Sequence, residues 1–374
     1  MSNKSSQISI WLAFSMLLLS GGLVSHVMAI PVILGAAKRD AWISIIISAP
    51  LFLLWITLLF GVLKNIRNQR IADWIHREFG AFASWIFRIS ASVVLFVSGT
   101  YTLQDTSLWA VTTYIQQTPF YVIVGTGVLI STIAACKGLR TIALTASIIL
   151  PAVLLLGYFV MSANVKYKDF NLLLPVLEHG WTPVLKGVFY ALAALIDIWV
   201  LLLFQHKLRS NLRWWHLIAL GVFLSLMALG PTIGAITEFG PDEAVKQQDS
   251  SFEQWKILKL GQLFQHVDFL SIYQWLCGSV TRVAITLYCI PELLNVRRPV
   301  KRKWTIIGLA IVMTIIACFP FADDQTLAYL TNIQFPLFFL FVMVLTLLLG
   351  LGVVISKHRK ETDANEPSHH PNSE

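Results

Sequence analysis

Residues 9–33 read SIWLAFSMLLLSGGLVSHVMAIPVI and contain no Asp, Glu, Lys or Arg. A helix needs about 20 apolar residues to cross the hydrocarbon core of a bilayer. This stretch therefore predicts a membrane-spanning helix. It is longer than the apolar core of a signal peptide and lacks a convincing cleavage site, so we expect it to be retained as the first span.

Nine further apolar runs follow, and with the first they predict an all-α integral membrane protein with ten transmembrane helices. The nine are residues 41–63, 82–104, 119–136, 141–163, 183–204, 214–236, 269–290, 304–321 and 334–356. The composition agrees, because 56% of the chain is hydrophobic and 13% is charged, whereas soluble domains are about 25% charged. We expect one membrane domain, residues 9–356, between a polar tail (1–8) and a disordered tail (357–374).

The formal net charge of +8 would suggest a nucleic-acid partner for a soluble protein. In a membrane protein, basic residues in short connections set the orientation instead. Most of the 28 Lys and Arg residues fall in alternate connections, which predicts that both termini face the cytoplasm. We expect membrane lipids, and no nucleic acid, as partners.

The sequence predicts no enzyme, cofactor or metal site. The four cysteines, Cys136, Cys277, Cys289 and Cys318, lie in or at the ends of the predicted spans and suggest neither a disulfide framework nor a zinc site. Phosphate-binding glycine loops, the zinc motif His-Glu-x-x-His and the serine-hydrolase motif Gly-x-Ser-x-Gly are absent.

Ten spans divide into five plus five, and two halves with an odd number of spans insert in opposite orientations. This is the arrangement of the inverted repeats found in many secondary transporters. Ser20, Gly21 and Gly22 interrupt the first span near its middle, where an unwound backbone could bind a ligand. The alternative is close helix packing through small residues.

Three charges lie inside predicted spans: Arg88, Asp197 and Arg282. Counted at 1.5 Å per residue, each lies about 20 Å below the outer surface, so the three predict one charged layer. Such residues usually face the bundle interior and pair with one another. The layer is a gate or a substitute for a coupling cation in the functional interpretation. In the structural interpretation the charges hold the helices of the bundle together, or, for Arg88, the long side chain extends along its helix to place the charge in water (snorkelling).

Several segments resemble the spore germination permeases, which are the B subunits of nutrient germinant receptors and belong to the amino acid–polyamine–organocation superfamily. They are LSGGLVSHVMAIP (19–31), EFGPDEAVKQQDSSFEQWKIL (238–258), FLSIYQWLCGSVTRVAITLYC (269–289) and FPFADDQ (319–325). The resemblance implies a ten-span inverted-repeat fold with a discontinuous first helix and a similar break in the sixth. The sixth span, YALAALIDIWVLL (190–202), lacks the glycine common at that break.

The resemblance also implies a midplane pocket for an amino acid or similar nutrient, bounded by spans 1, 3, 6 and 8. Residue by residue, its members would be Ser20, Gly21, Gly22, Ser98, Tyr101, Ala194, Asp197, Thr281 and Arg282. It further implies partner A and C subunits and a location in the spore inner membrane or the bacterial cell membrane. Three functions are open: a nutrient sensor, an amino-acid transporter coupled to H⁺ or Na⁺, and an ion or water conduit opened by a germinant.

Overall fold

The structure, a computed structural model, describes residues 7–66, 69–258, 267–319 and 323–365. Within these ranges the secondary structure is helical apart from one isolated β-bridge, between Ile8 and Leu208. The helices, numbered in chain order, are α1 (Ile10–Leu23), α2 (Ala29–Ala37), α3 (Ala41–Ile66), α4 (Ile71–Thr113), α5 (Phe120–Lys137), α6 (Leu139–Ala163), α7 (Trp181–Leu195), α8 (Leu201–Phe204), α9 (Trp214–Phe239), α10 (Pro241–Ala244), α11 (Ser250–Ile257), α12 (Phe269–Leu293), α13 (Pro299–Ala317), α14 (Asp323–Tyr329) and α15 (Phe335–Asn365).

Eight helical segments in the described ranges are long and apolar enough to cross a membrane. The first, Ile10–Ile66, includes α1, α2 and α3, although a 3-10 turn at Lys38–Asp40 separates α2 from α3. Helix α13 is not among the eight, and it begins with the basic residues of Pro-Val-Lys-Arg-Lys. The predicted all-helical membrane class is therefore confirmed.

Two segments form the centre of the bundle. In Trp181–Lys207 and in Phe269–Leu293, 83% of the most apolar stretch of 18 residues is buried inside the protein. The corresponding share for Phe120–Lys137 is 22%. A helix that is apolar all round is suited to burial in a bundle, and the stretch around Asp197 has this character. The peripheral helices expose large apolar side chains to the surrounding bilayer, for example Phe82 at 81% and Ile148 at 77%.

The first helix is discontinuous, but not where the sequence predicted. Ser20, Gly21 and Gly22 remain in regular α-helix, and the chain widens into a π-helix at Val24–Met28 before α2 begins. A Cβ added at Gly22 would lie 3.1 Å from Met227 Cε, the end of a flexible side chain, and one added at Gly21 would lie 3.7 Å from Asp197 Oδ2. The irregular stretch of the first span therefore begins at Val24, two residues after the glycines.

The sixth predicted span also changes helix type. It is α-helical up to Leu195, tightens into a 3-10 helix at Ile196–Val200 and continues as α8. A mid-helix 3-10 stretch often marks strain or a functional hinge. Asp197 lies in this stretch, so the central acid is carried by the irregular part of its helix.

Two boundaries differ from the sequence prediction. Helix α4 begins at Ile71 and bends at Gly80, whose φ of 85° suits a residue without a Cβ; the sequence predicted an inner connection up to residue 81. Helix α15 continues to Asn365, beyond residue 356 where the last predicted span ends. Residues 1–6 and 366–374, which make up most of the two predicted tails, lie outside the described residues.

Candidate functional site

A buried ion pair lies at the centre of the bundle. Arg282 Nη1 is 2.5 Å from Asp197 Oδ2, and Arg282 Nη2 is 2.9 Å from Asp197 Oδ1. The two residues are 7% and 5% exposed. The two parallel N–H···O bonds match the planar guanidinium to the carboxylate, a geometry that Lys does not reproduce. The 3-10 stretch of the sixth span and helix α12 are thereby joined.

Two serines extend this pair to two more helices. Arg282 Nη2 donates to Ser98 Oγ of α4 at 2.6 Å, and Arg282 Nη1 donates to Ser20 Oγ of α1 at 3.4 Å. A Cβ added at Gly21 would lie 3.7 Å from Asp197 Oδ2, so the first helix passes close to the carboxylate. Residues of the predicted spans 1, 3, 6 and 8 therefore meet at one guanidinium.

The space beside the pair is small. It measures about 20 Å³, which is room for roughly one water molecule. Its lining consists of Ser20, Val94, Leu95, Ser98, Asp197, Trp199, Val200, Arg282, Ile285, Thr286 and Phe338. In this conformation the polar groups are therefore closed upon one another, and a nutrient would have to separate them to bind.

Arg88 does not belong to this group, so the predicted layer of three charges is wrong. Its guanidinium donates to Leu293 O at 2.6 Å, to Asp73 Oδ1 at 3.1 Å and to Ser84 Oγ at 3.1 Å. Leu293 lies 11 residues after Arg282 along α12, which is about 16 Å at 1.5 Å per residue. The side chain points towards the predicted inner end of its helix, but it is only 10% exposed, so protein groups and not water bind its charge.

Tyr101, predicted as a pocket residue, lies one turn outward from Ser98 and away from the ion pair. Its hydroxyl is 3.5 Å from Asp105 Oδ1, and its ring centroid is 5.3 Å from that of Tyr329. The residue is 4% exposed and belongs to an apolar cluster of the outer half. It does not line the space beside the pair.

The remaining predicted pocket residues neither bond to the pair nor line the space beside it. Ala194 is 1% exposed, and Thr281 Oγ1 donates to the carbonyl of Cys277 one turn back at 2.7 Å. Gly22 faces Met227 of α9. The structure thus brings Ser20, Gly21, Ser98, Asp197 and Arg282 together.

A second charged cluster, at the predicted inner end of α12, was missed by the sequence prediction. Glu292 contacts Arg302 at 2.5 Å, Arg70 at 3.0 Å, His206 at 3.4 Å and Lys207 at 4.0 Å. The predicted span ended at residue 290, so these basic residues were counted only as topology signals. The sequence does contain a signal for this cluster, because Glu292 is the single acidic residue of the strongly basic segment 291–303.

In the predicted outer connection 237–268, the spacing of Trp255, Leu258 and Gln262 predicts a short helix with one shared face. The described part of this connection has helix α11 at Ser250–Ile257, which ends before Leu258, and Gln262 lies outside the described residues. Phe252 and Trp255 of α11 are each 3% exposed. Phe252 packs edge-on against Trp109, which stacks on Trp275 at 3.9 Å between ring centroids. This aromatic cluster closes the outer side of the molecule above the first helix.

The family described as "Spore germination protein" matches residues 7–326 of this chain. Spore germination protein XB of Bacillus anthracis is 37% identical over 344 residues, which cover 91% of this chain and 96% of that protein. Spore germination protein KB of Bacillus subtilis (strain 168) is 22% identical over 261 residues, which cover 67% and 69% of the two chains.

Among solved structures, a nucleobase-cation-symport-1 family transporter in a closed conformation with bromovinylhydantoin bound has a similar fold. The TM-score is 0.58 at 14% sequence identity, and the alignment covers 88% of this chain and 76% of that one. At this identity the likeness concerns the fold alone, since one fold supports many functions.

Proposed function

Since this chain belongs to the spore germination protein family, we propose that it is the membrane-embedded B subunit of a nutrient germinant receptor. It binds a small nutrient, an amino acid or a similar compound, at the Asp197–Arg282 pair. Binding changes the shape of the bundle and signals to a larger A subunit and a lipoprotein C subunit. The pattern of basic connections supports an orientation with both termini on the cytoplasmic side, in the spore inner membrane.

The observation that carries this proposal is the closed, bidentate pair at the meeting point of four helices. An amino-acid zwitterion presents a carboxylate that matches Arg282 and an ammonium that matches Asp197. Such a ligand replaces one buried pair with two, so neither protein charge is left unpaired in a low-dielectric site. A ligand shifts a protein between two states only if its affinity for the two states differs. A ligand that binds only when the Asp197–Arg282 pair is open has a higher affinity for the open state.

We further propose a ten-span, five-plus-five inverted repeat for this chain. Two irregular stretches support it, because they occupy the first helix (Val24–Met28) and the sixth predicted span (Ile196–Val200), the first position of each half. A further π-helix, Leu330–Gln334, precedes the last span and has no part in this argument. Separating α1–α2 from α3 and adding α13 to the eight candidate segments gives ten spans.

Charge exchange tests the site. Spores that carry Asp197→Arg or Arg282→Asp should release dipicolinate slowly on every nutrient of a panel, and the double exchange should recover part of the rate. A Gly21→Trp variant, which places an indole against the carboxylate, should also fail. If the single exchanges germinate like wild type, the pair does not bind the nutrient.

Amino-acid transport is the second candidate function, and the fold likeness to a symporter favours it. The fixed guanidinium of Arg282 would then take the place of a coupling cation. Purified protein in liposomes should accumulate a labelled amino acid without added Na⁺ if transport occurs, and Arg282→Met should abolish this uptake. Spores that respond to a nutrient which liposomes do not accumulate would favour the sensor.

A further inference from the structure

A larger cavity lies apart from the ion pair, in the predicted outer half of the molecule. It measures about 340 Å³, which is at the lower end of the range of about 300–1,000 Å³ for ligand pockets. The π-helical part of the first helix contributes His26 and Val27, and helices α6, α9, α11 and α12 form the rest of the wall. None of its lining residues lines the space around Asp197 and Arg282.

The wall of this cavity is mostly apolar and reaches the bilayer-facing surface. Tyr158 of α6 and Leu226 of α9 both line it and are 63% and 60% exposed. Phe252, Trp255 and Trp275 cover it from the outer side. A molecule dissolved in the hydrocarbon region can therefore enter between α6 and α9 without crossing the ion-pair layer.

Two polar groups on the wall are left for a ligand. The indole N–H of Trp275 is buried, the residue is 4% exposed, and no described residue accepts from this group. His26 Nδ1 donates to the carbonyl of Gly22, which leaves Nε2 of the neutral ring as an acceptor. The amide of Gln254 donates to the carbonyls of Pro231 and Ser250, and that of Gln274 donates to the carbonyl of Val153 at 2.8 Å, which holds both side chains against the backbone.

Among the residues that the structure describes, the wall contains no Asp, Glu, Lys or Arg. A zwitterion placed there would bury two charges without partners, which is strongly unfavourable. An uncharged molecule with a single hydroxyl group fits instead, because a hydroxyl can accept from Trp275 and donate to His26. Its apolar part would pack against the aromatic rings and the aliphatic wall.

From these groups we infer a second ligand site, which takes a small, uncharged, mostly apolar molecule carrying one hydroxyl group and entering from the bilayer. The site goes beyond the proposed nutrient pocket and does not depend on it. Its occupant would contact His26, which lies one turn from Gly22. It would therefore touch the π-helical part of the first helix directly.

Fluorobenzyl alcohol is a suitable probe, measured by fluorine NMR on the full-length protein in lipid nanodiscs. Wild type should show saturable binding above partition into empty nanodiscs. Gly157→Leu should abolish it by filling the cavity, since a Cβ there would lie 3.6 Å from Gln274 Nε2. Leu226→Trp, at the mouth, is an independent second block. Gly125→Leu is the matched control, because a Cβ there would meet nothing within 4 Å.

The polar contact is tested separately. Trp275→Phe should weaken binding about three- to tenfold, the effect of one lost hydrogen bond. Trp109→Phe is the control, since this ring also has an unpartnered N–H but does not line the cavity. Fluorotoluene should bind more weakly than the alcohol, and fluorophenylalanine should not bind.

Three results would overturn the inference. One is an equal alcohol signal from wild type, Gly157→Leu and empty nanodiscs, which would mean partition alone. Another is competition for the cavity by fluorophenylalanine, which would make it a site for charged ligands. The third is a co-purified phospholipid seen by native mass spectrometry in wild type but not in Gly157→Leu, together with no alcohol binding. None of these results bears on the ion-pair assays.

Discussion

At the residue scale, the Asp197–Arg282 pair could be either a staple or a recognition element. Both residues are buried, and two hydrogen bonds join the guanidinium to the carboxylate. Removing one partner from a buried pair leaves an unpaired charge and costs about 3–5 kcal/mol, whereas replacing both by apolar residues is often neutral or stabilising. A double apolar variant can therefore remove the charges without a large loss of stability, so that their role in function can be tested alone.

We predict that Asp197→Leu and Arg282→Met each lower the free energy of unfolding by about 3–5 kcal/mol, and that the double variant regains most of this loss. Thermal unfolding of detergent-solubilised protein measures the stability. Spores with the stable double variant should nevertheless fail to germinate on a nutrient panel. Normal germination by the double variant would mean that the pair only stabilises the bundle and does not bind the nutrient.

Glu292 is the second residue whose partners suggest a large effect. It pairs with Arg70, Arg302 and Lys207 and lies 3.4 Å from His206. We expect Glu292→Gln to destabilise the protein by about 3 kcal/mol, because several cations would be left without their counter-charge. Thermal unfolding compares it with Glu253→Gln, whose exposed pair with Lys256 contributes about 0–1 kcal/mol. Equal effects would contradict a central role for Glu292.

At the element scale, close helix contacts hold the first helix in place. Gly278 of α12 faces α1, and a Cβ there would lie 3.0 Å from the carbonyl oxygen of Leu19 and 3.0 Å from Leu23 Cβ. Backbone atoms cannot move aside as the end of a flexible side chain can. The position of Ser20 beside Arg282 therefore depends on a glycine in the facing helix.

We predict that Gly278→Ala destabilises the protein by about 1–3 kcal/mol, the usual cost of overpacking. Gly308→Ala on α13 is the control, because a Cβ there would meet nothing within 4 Å. It should stabilise its helix by up to about 1 kcal/mol. Thermal unfolding midpoints that move in the same direction for both variants would argue against the close α1–α12 contact.

At the scale of the whole molecule, orientation follows from charge rather than from packing. On a background without the four native cysteines, Asp242→Cys and Arg297→Cys place single thiols on two exposed positions. A membrane-impermeant maleimide should label Asp242→Cys in intact cells and Arg297→Cys only after permeabilisation, because basic connections remain cytoplasmic. The reverse pattern would invert the proposed topology.

Features set by local chemistry could be predicted from the sequence. Runs of apolar residues specify membrane helices because unpaired backbone groups are too costly in lipid, and this reasoning located the helices that meet at the ion pair. It also marked Asp197 and Arg282, since charges inside such runs seldom occur without partners. The glycine-containing interruption of the first span marked Ser20 and Gly21, and the resemblance added Ser98; all three lie beside the pair.

Which charges share a site was decided only by the tertiary structure. Arg88 and Arg282 have similar predicted depths, yet one follows its helix inward to Leu293 and the other turns to Asp197. The irregular stretch of the first helix likewise lies at Val24–Met28 and not at the glycines, which remain in regular α-helix. Depth along a span follows from counting residues, but the direction of a side chain and its partners depend on neighbouring helices that are distant in the sequence.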